Sequence, residues 1–267
     1  MKRKGIFKPT IEDIIELSGL ETLHPGGFAL TRRTAELADL KPGLTVLDVS
    51  SGRGTQSVFY AKEFGVEVTG VDISEEMIQT AVENAKNAGV DNLVKFKLGD
   101  SQNLLLDDNT FDVVINECAV GIPDDSQMVL NEMVRVAKPG GVCAIHESTW
   151  RKKLSDDEKE EISERYGTTP LEYDEWIEML QKAGVKEIIT EFDEWSKPEM
   201  FYKIRKDRDV KDFSKIYTPK ELGFTIKRIT EEYGQEGVKT ALENQKVFVD
   251  SVLSGKIGYC LFKGIKQ

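Results

Sequence analysis

The run Val46-Leu47-Asp48-Val49-Ser50-Ser51-Gly52-Arg53-Gly54 passes from an apolar, strand-like segment straight into a glycine-bearing turn, and a helical pattern follows it. Glycine in such a turn lets the backbone approach a ligand closely and take dihedrals that a Cβ would forbid. The first turn of the helix then offers unpaired N–H groups to a negatively charged group. On this much, the turn fits any nucleotide-like ligand and does not choose among them.

Moving outward, residues 44–49 form a strand behind the turn Lys41-Pro42-Gly43, and 54–64 form a helix ending at Gly65. Residues 66–71 read as a strand. Ser74 then caps a helix with Ile78, Ala81, Val82 and Ala85 on one face, and Gly89 stops it. Residues 93–98 and 111–116 are further strands, 124–137 a helix closed by Lys138-Pro139-Gly140-Gly141, and 141–147 another strand. Repeated strand–helix units predict an α/β fold, a parallel sheet with helices on both faces. The later sequence is less regular. It predicts a helix over 171–183, a strand over 185–192, and mostly helix over 196–254, where Ala241, Leu242, Phe248, Val249, Val252 and Leu253 suit one face. A last strand spans 256–263. The expected plan is an N-terminal helical arm (1–40), a core (41–195), a helical insertion (196–254) and a final core strand (255–267).

Composition narrows the function. The chain has 267 residues, 39% hydrophobic and 31% charged, enough for one α/β domain with insertions. A net charge of −11 argues against a nucleic-acid partner, whose phosphates demand clustered Lys and Arg. The basic stretch from Lys203 to Lys211 is interrupted by Asp207 and Asp209 and reads as a solvated face. No apolar run reaches the roughly 18 residues of a membrane span. The basic start Met1-Lys2-Arg3-Lys4 leads into no apolar signal region before Glu12 and Asp13, so a cytoplasmic location is expected. Cys118, Cys143 and Cys260 are widely spaced, which predicts neither a disulfide framework nor a metal site.

Three details select the ligand. A dinucleotide fingerprint would place a third glycine at position 57, where Ser57 stands. Asp48, at the strand end, would repel a pyrophosphate but suits a positively charged ligand. Gly70-Val71-Asp72-Ile73 ends the next strand with an acid 20 residues beyond Gly52, placed to accept hydrogen bonds from two ribose hydroxyls.

With these residues the chain resembles the class I S-adenosylmethionine-dependent methyltransferases over roughly residues 30–195 and again at the final strand. Their first motif is V-L-D-x-G-x-G-x-G; Ser50 departs from its first glycine, while Gly52 and Gly54 match the other two. The resemblance implies a Rossmann-like, seven-stranded sheet, mostly parallel with an antiparallel last strand, and S-adenosylmethionine as cofactor. It implies that Asp72 holds the ribose, that Ile73 and Met77 line the adenine, and that Asp100 in Gly99-Asp100-Ser101 reads the adenine amino group. The strand Phe111-Asp112-Val113-Val114-Ile115-Asn116 would end under the methionine portion, and residues 130–141 resemble the helix and turn before the fifth strand. The implied cofactor set is therefore Asp48, Ser50, Gly52, Gly54, Asp72, Ile73, Met77, Asp100, Ser101 and Asn116.

The acceptor should lie beyond the C-terminal strand ends, where His24, Glu117, His146 and Glu147 are the candidates for acid–base work or acceptor contact. His24-Pro25-Gly26-Gly27-Phe28, with Thr31 and Arg32 after it, resembles the arm that folds over the methionine end in a subset of small-molecule methyltransferases. Trp150, Tyr166, Tyr173, Trp176, Trp195, Phe201, Tyr202 and Tyr217 supply aromatics for a lid, an interface or packing. The expected function is methyl transfer to a small-molecule acceptor by a monomer or homodimer. A protein methyltransferase and a catalytically silent S-adenosylmethionine-binding regulator are the alternatives.

Overall fold

Alternating apolar segments and glycine stops produce a parallel sheet whose order reverses beside its central strand. The computed structural model describes residues 7–18, 20, 22, 24–203, 205 and 210–267. Residues 206–209 of the basic stretch and the N-terminal basic run therefore lie outside the described residues. In chain order the elements are α1 (Ile11–Leu17), α2 (Gly27–Leu37), β1 (Thr45–Val49), α3 (Thr55–Phe64), β2 (Glu67–Asp72), α4 (Glu75–Ala88), β3 (Val94–Leu98) and β4 (Phe111–Glu117). They continue with α5 (Ser126–Val136), β5 (Ala137–Trp150), α6 (Asp156–Tyr166), β6 (Leu171–Glu172), α7 (Tyr173–Ala183), β7 (Val185–Glu191), α8 (Pro219–Leu253) and β8 (Ile257–Lys266). Short 3-10 turns occupy Pro198–Tyr202 and Phe213–Lys215.

The strand order is β3-β2-β1-β4-β5-β8-β7, with β6 paired to β5 outside this path. The ladders from β3 through β5 are parallel, and β7 pairs antiparallel with β8. This is the expected Rossmann-like seven-strand path with one added two-residue strand. The chain leaves β1 toward β2 on one side and returns to β4 on the other. The crevice at their carboxyl ends is thus the switch point where ligands bind in open α/β sheets.

Local chemistry sets the element ends. The Ser74 hydroxyl accepts the Met77 N–H at the start of α4, and left-handed Gly89 and Gly65 close α4 and α3. At the opposite sheet edge, Asp112 accepts the Thr45 N–H (2.9 Å) and hydroxyl (2.7 Å), and Lys138 reaches its other oxygen (2.7 Å). One carboxylate thereby ties the starts of β1, β4 and β5. The helix expected over 171–183 begins at Tyr173 instead. β5 extends to Trp150, and its last residues pair with Leu171 and Glu172, whose backbone groups go to a ladder rather than a helix. Residues 196–254 hold the two 3-10 turns and then α8, which Gly234 (φ 71°, ψ −172°) breaks.

The chain forms two compact units. One comprises residues 28–147, 173–192 and 260–267, and packs Val46, Tyr60, Val68, Val113, Ile115 and Ala144 into a continuous core. The other comprises 1–27, 148–172 and 193–259. Ile11, Ile14 and Leu17 of α1 meet Tyr166, Ile229 and Ala241, and buried Asn244 donates to the Phe7 and Pro9 carbonyls. Among the described residues no helix is long and apolar enough to cross a membrane.

Candidate functional site

Ser50, Gly52 and Gly54 all take left-handed backbone, with φ of 60°, 52° and 69°. The alternation folds residues 50–54 into a tight loop above the sheet, locked by Ser51 N–H to Val71 O and Gly54 N–H to Ser51 O, both 2.9 Å. Asn84 on α4 adds a third tie, donating to the Arg53 carbonyl at 2.9 Å. Ser50 thus does what the first glycine of the motif does, with a Cβ in a region that costs an ordinary L-residue about 1–2 kcal/mol.

The loop meets the acid that ends β2. Asp72 accepts the Gly52 N–H at 2.8 Å on one oxygen and the Ser74 N–H at 2.9 Å on the other. Each carboxylate oxygen has a second lone-pair direction, so the group can still accept hydroxyl donors. Ile73 stands beside it 72% exposed, which leaves an apolar side chain at the strand end for contact with a flat ligand. Partly buried Met77 opens α4 just beyond. The Gly99 N–H donates to the Asp72 carbonyl at 2.9 Å, which carries Asp100 and buried Ser101 to the same strand end. Asp100 accepts the Gln102 N–H at 2.8 Å.

Asp48 is buried, and the Ser57 hydroxyl donates to it at 2.5 Å. The residue that replaces a dinucleotide-type glycine therefore supports the acid of the strand before it. In sequence Ser57 only excludes a dinucleotide fingerprint; its place on the first turn of α3 is the signal for this second role. Asn116, wholly buried, donates to the Val49 carbonyl (3.0 Å) and accepts the Ala119 N–H (2.9 Å), bracing the end of β1 against the loop after β4.

Glu117 is a junction. The Tyr60 hydroxyl donates to its Oε1, the Thr31 hydroxyl to its Oε2 at 2.8 Å, and His146 Nε2 lies 3.3 Å from the same Oε2. Tyr60, Thr31 and His146 have no exposed surface. Burial, then the charge and hydrogen bond of Glu117, then the charge of Asp48, hold the Tyr60 phenol well above the usual tyrosine range. Tyr60 was missed from sequence because it sits among the apolar residues of α3, and its polar tip has no periodic signature. Glu147, also buried, accepts the Val120 N–H at 2.7 Å, and the Cys118 N–H donates to the His146 carbonyl at 3.0 Å. Cys118 itself has a φ of 64°, a second non-glycine residue held left-handed at this edge. His24 belongs to the other unit, is buried, and has its Nδ1 2.8 Å from the Pro25 carbonyl, which as an acceptor places the proton on Nδ1.

The structure thus gathers Ser50, Gly52, Gly54, Asp72, Ile73 and the segment 99–101 around one strand-end crevice. It pairs Glu117 with His146 at the neighbouring strand ends and gives Asn116 and Glu147 hydrogen bonds that fix loops.

Residues 40–194 match a family model described as a methyltransferase domain, so the chain belongs to that family. It is 30% identical over 188 residues to the methyltransferase GfsG of Streptomyces halstedii, covering 68% of this chain and 67% of that protein. It is 29% identical over 200 residues to phosphoethanolamine N-methyltransferase 3 of Arabidopsis thaliana, covering 71% of this chain but only 40% of that longer protein. The fold is shared with phosphoethanolamine N-methyltransferase 2 of Haemonchus contortus, solved with phosphomonomethylethanolamine and S-adenosylhomocysteine. The TM-score is 0.70 at 21% identity, covering 95% of this chain and 57% of that one.

Proposed function

We propose that this protein transfers a methyl group from S-adenosylmethionine to a small-molecule acceptor. The observation that carries the reading is the junction of the left-handed loop with Asp72, next to exposed Ile73. A nucleoside fits it on two chemical counts: a carboxylate with spare lone pairs for vicinal hydroxyls, and an apolar side chain for a flat base. The names of the relatives point the same way.

In this reading Asp72 takes the ribose hydroxyls, Ile73 and Met77 flank the adenine, and Asp100 with Ser101 meets its exocyclic edge. Ser50, Gly52 and Gly54 bring backbone close to the methionine portion, and buried Asp48 favours its positive charge. Bound S-adenosylmethionine supplies a methyl group on a sulfonium, a leaving group already activated, so the protein's task is alignment and exclusion of water. Asn116 and Glu147 fix the loop after β4, where the acceptor would enter. Glu117 orients His146, which is the group to accept a proton from an acceptor that must lose one. His24 remains a further candidate for acceptor contact.

Calorimetry with S-adenosylhomocysteine tests the site. Asp72→Ala should weaken binding at least about tenfold, the loss of one or two hydrogen bonds to a charged acceptor; unchanged affinity would sink the ribose assignment. Incubating the protein and methyl-labelled S-adenosylmethionine with fractionated extract tests the activity. Label should enter the small-molecule fraction. Label in protein would favour a protein acceptor, and binding with no transfer a silent regulator.

A further inference from the structure

Phe96, in the middle of β3, was not among the candidate residues, yet its ring occupies the space that side chains would fill at two glycines. A methyl group on Gly54 would stand 2.4 Å from its Cζ and 2.8 Å from both its Cε1 and the Cβ of Ala81. One on Gly70 would stand 2.5 Å from its Cδ1, 2.6 Å from its Cε1 and 2.8 Å from the Ser51 hydroxyl. Contacts below 3.0 Å are closer than real Cβ atoms approach, so the ring lies directly against both α-carbons. Gly54 is the last residue of the left-handed loop, Gly70 sits two positions before Asp72 on β2, and Ala81 lies on α4, the helix that follows Asp72.

We propose that Phe96 is a positioning residue for the cofactor: its ring sets the separation between the loop and β2, and hence the geometry at which Gly52 and Asp72 meet. This rests on the reading of that crevice as the nucleoside site. Phe96 would act entirely through its neighbours. Both glycines are then required by the ring, Gly70 for space alone, since its φ is not left-handed.

Gly70→Ala is the direct probe, because the new Cβ must displace the ring or the Ser51 hydroxyl. Calorimetry with S-adenosylhomocysteine should show affinity lowered about tenfold or more relative to the unaltered protein. In the double variant Gly70→Ala/Phe96→Leu, the smaller side chain makes room, and affinity should recover to within about threefold of Phe96→Leu alone. Circular dichroism and melting confirm that each variant is folded. Should Gly70→Ala fail to fold, Phe96→Leu serves: folded, it should bind S-adenosylhomocysteine several-fold more weakly, and unchanged affinity overturns the proposal. Equal affinity in Gly70→Ala and the unaltered protein overturns the proposal, as does a double variant no better than Gly70→Ala. If the unaltered protein binds no S-adenosylhomocysteine, the nucleoside reading itself fails and the proposal with it.

Discussion

Ser50 is the residue at which a motif rule and a physical rule diverge. The motif has glycine there, and the structure shows why: φ is 60°, on the left-handed side where only glycine is unstrained. Replacing it by glycine relieves roughly 1–2 kcal/mol of steric strain and restores roughly 0.5–1 kcal/mol of chain entropy to the unfolded state. Ser50→Gly should therefore raise stability by about 0.5–1 kcal/mol, read as a higher urea midpoint at unchanged slope. A lower midpoint would mean that the serine side chain makes a compensating contact. Glu117 is the contrasting case. Its place at a strand end was legible, but the donors that converge on it, Tyr60 from α3 and Thr31 from α2, come from segments 57 and 86 residues away. Position along one strand says where a side chain starts and nothing of which helix will reach it.

Elements were legible where hydrophobic period and terminal residues agreed. α4 has its serine cap, its apolar face and its closing glycine in the sequence, and the structure follows them. β6 was not legible, since two residues carry no period and its existence depends on the overrun of β5 past Ser148. The tie at Asp112 was equally hidden, because it gathers backbone and side chains from three separate strands. Burial pushes the Asp112 carboxyl up, but hydrogen bonds from Lys138 and Thr45 outweigh this and hold it below the ordinary aspartate value. A depressed folded value means that the stabilisation is complete above the unfolded pKa, near 4, and fades as the pH falls through the folded one. Asp112→Asn should cost about 1–2 kcal/mol at pH 7. The gap to the unaltered protein should narrow as the pH falls from 7 to near 3, as urea unfolding at the two values would measure. A gap that persists undiminished at the lower pH would assign the effect to shape rather than charge.

In the whole molecule, a Rossmann-like seven-stranded sheet, mostly parallel with an antiparallel last strand, was implied by family resemblance, and the fold agrees with it; the order β3-β2-β1-β4-β5-β8-β7 comes from the structure. Periodicity alone gave a parallel sheet but no strand order, since neighbours in a sheet are chosen by crossovers that leave no local mark. The crevice at the β1–β4 switch followed from that order, and the loop and Asp72 meet there. The surroundings of Glu117 are less legible because Thr31 and Tyr60 reach it from helices far away in the sequence. The distribution of thiols has a practical consequence. Cys143 and Cys260 are buried in strands, and burial raises both, Cys143 to about 12 and Cys260 further, so neither supplies thiolate near neutrality. Cys118 is half-buried in the loop beside Glu117. An aromatic disulfide reagent should modify one thiol in the native protein and three after denaturation, and two fast native thiols would contradict the packing. The chain thus offers a unique attachment point for a fluorophore without mutagenesis. A dye on Cys118 would report, by its emission, whatever enters beside the junction of Glu117 and His146.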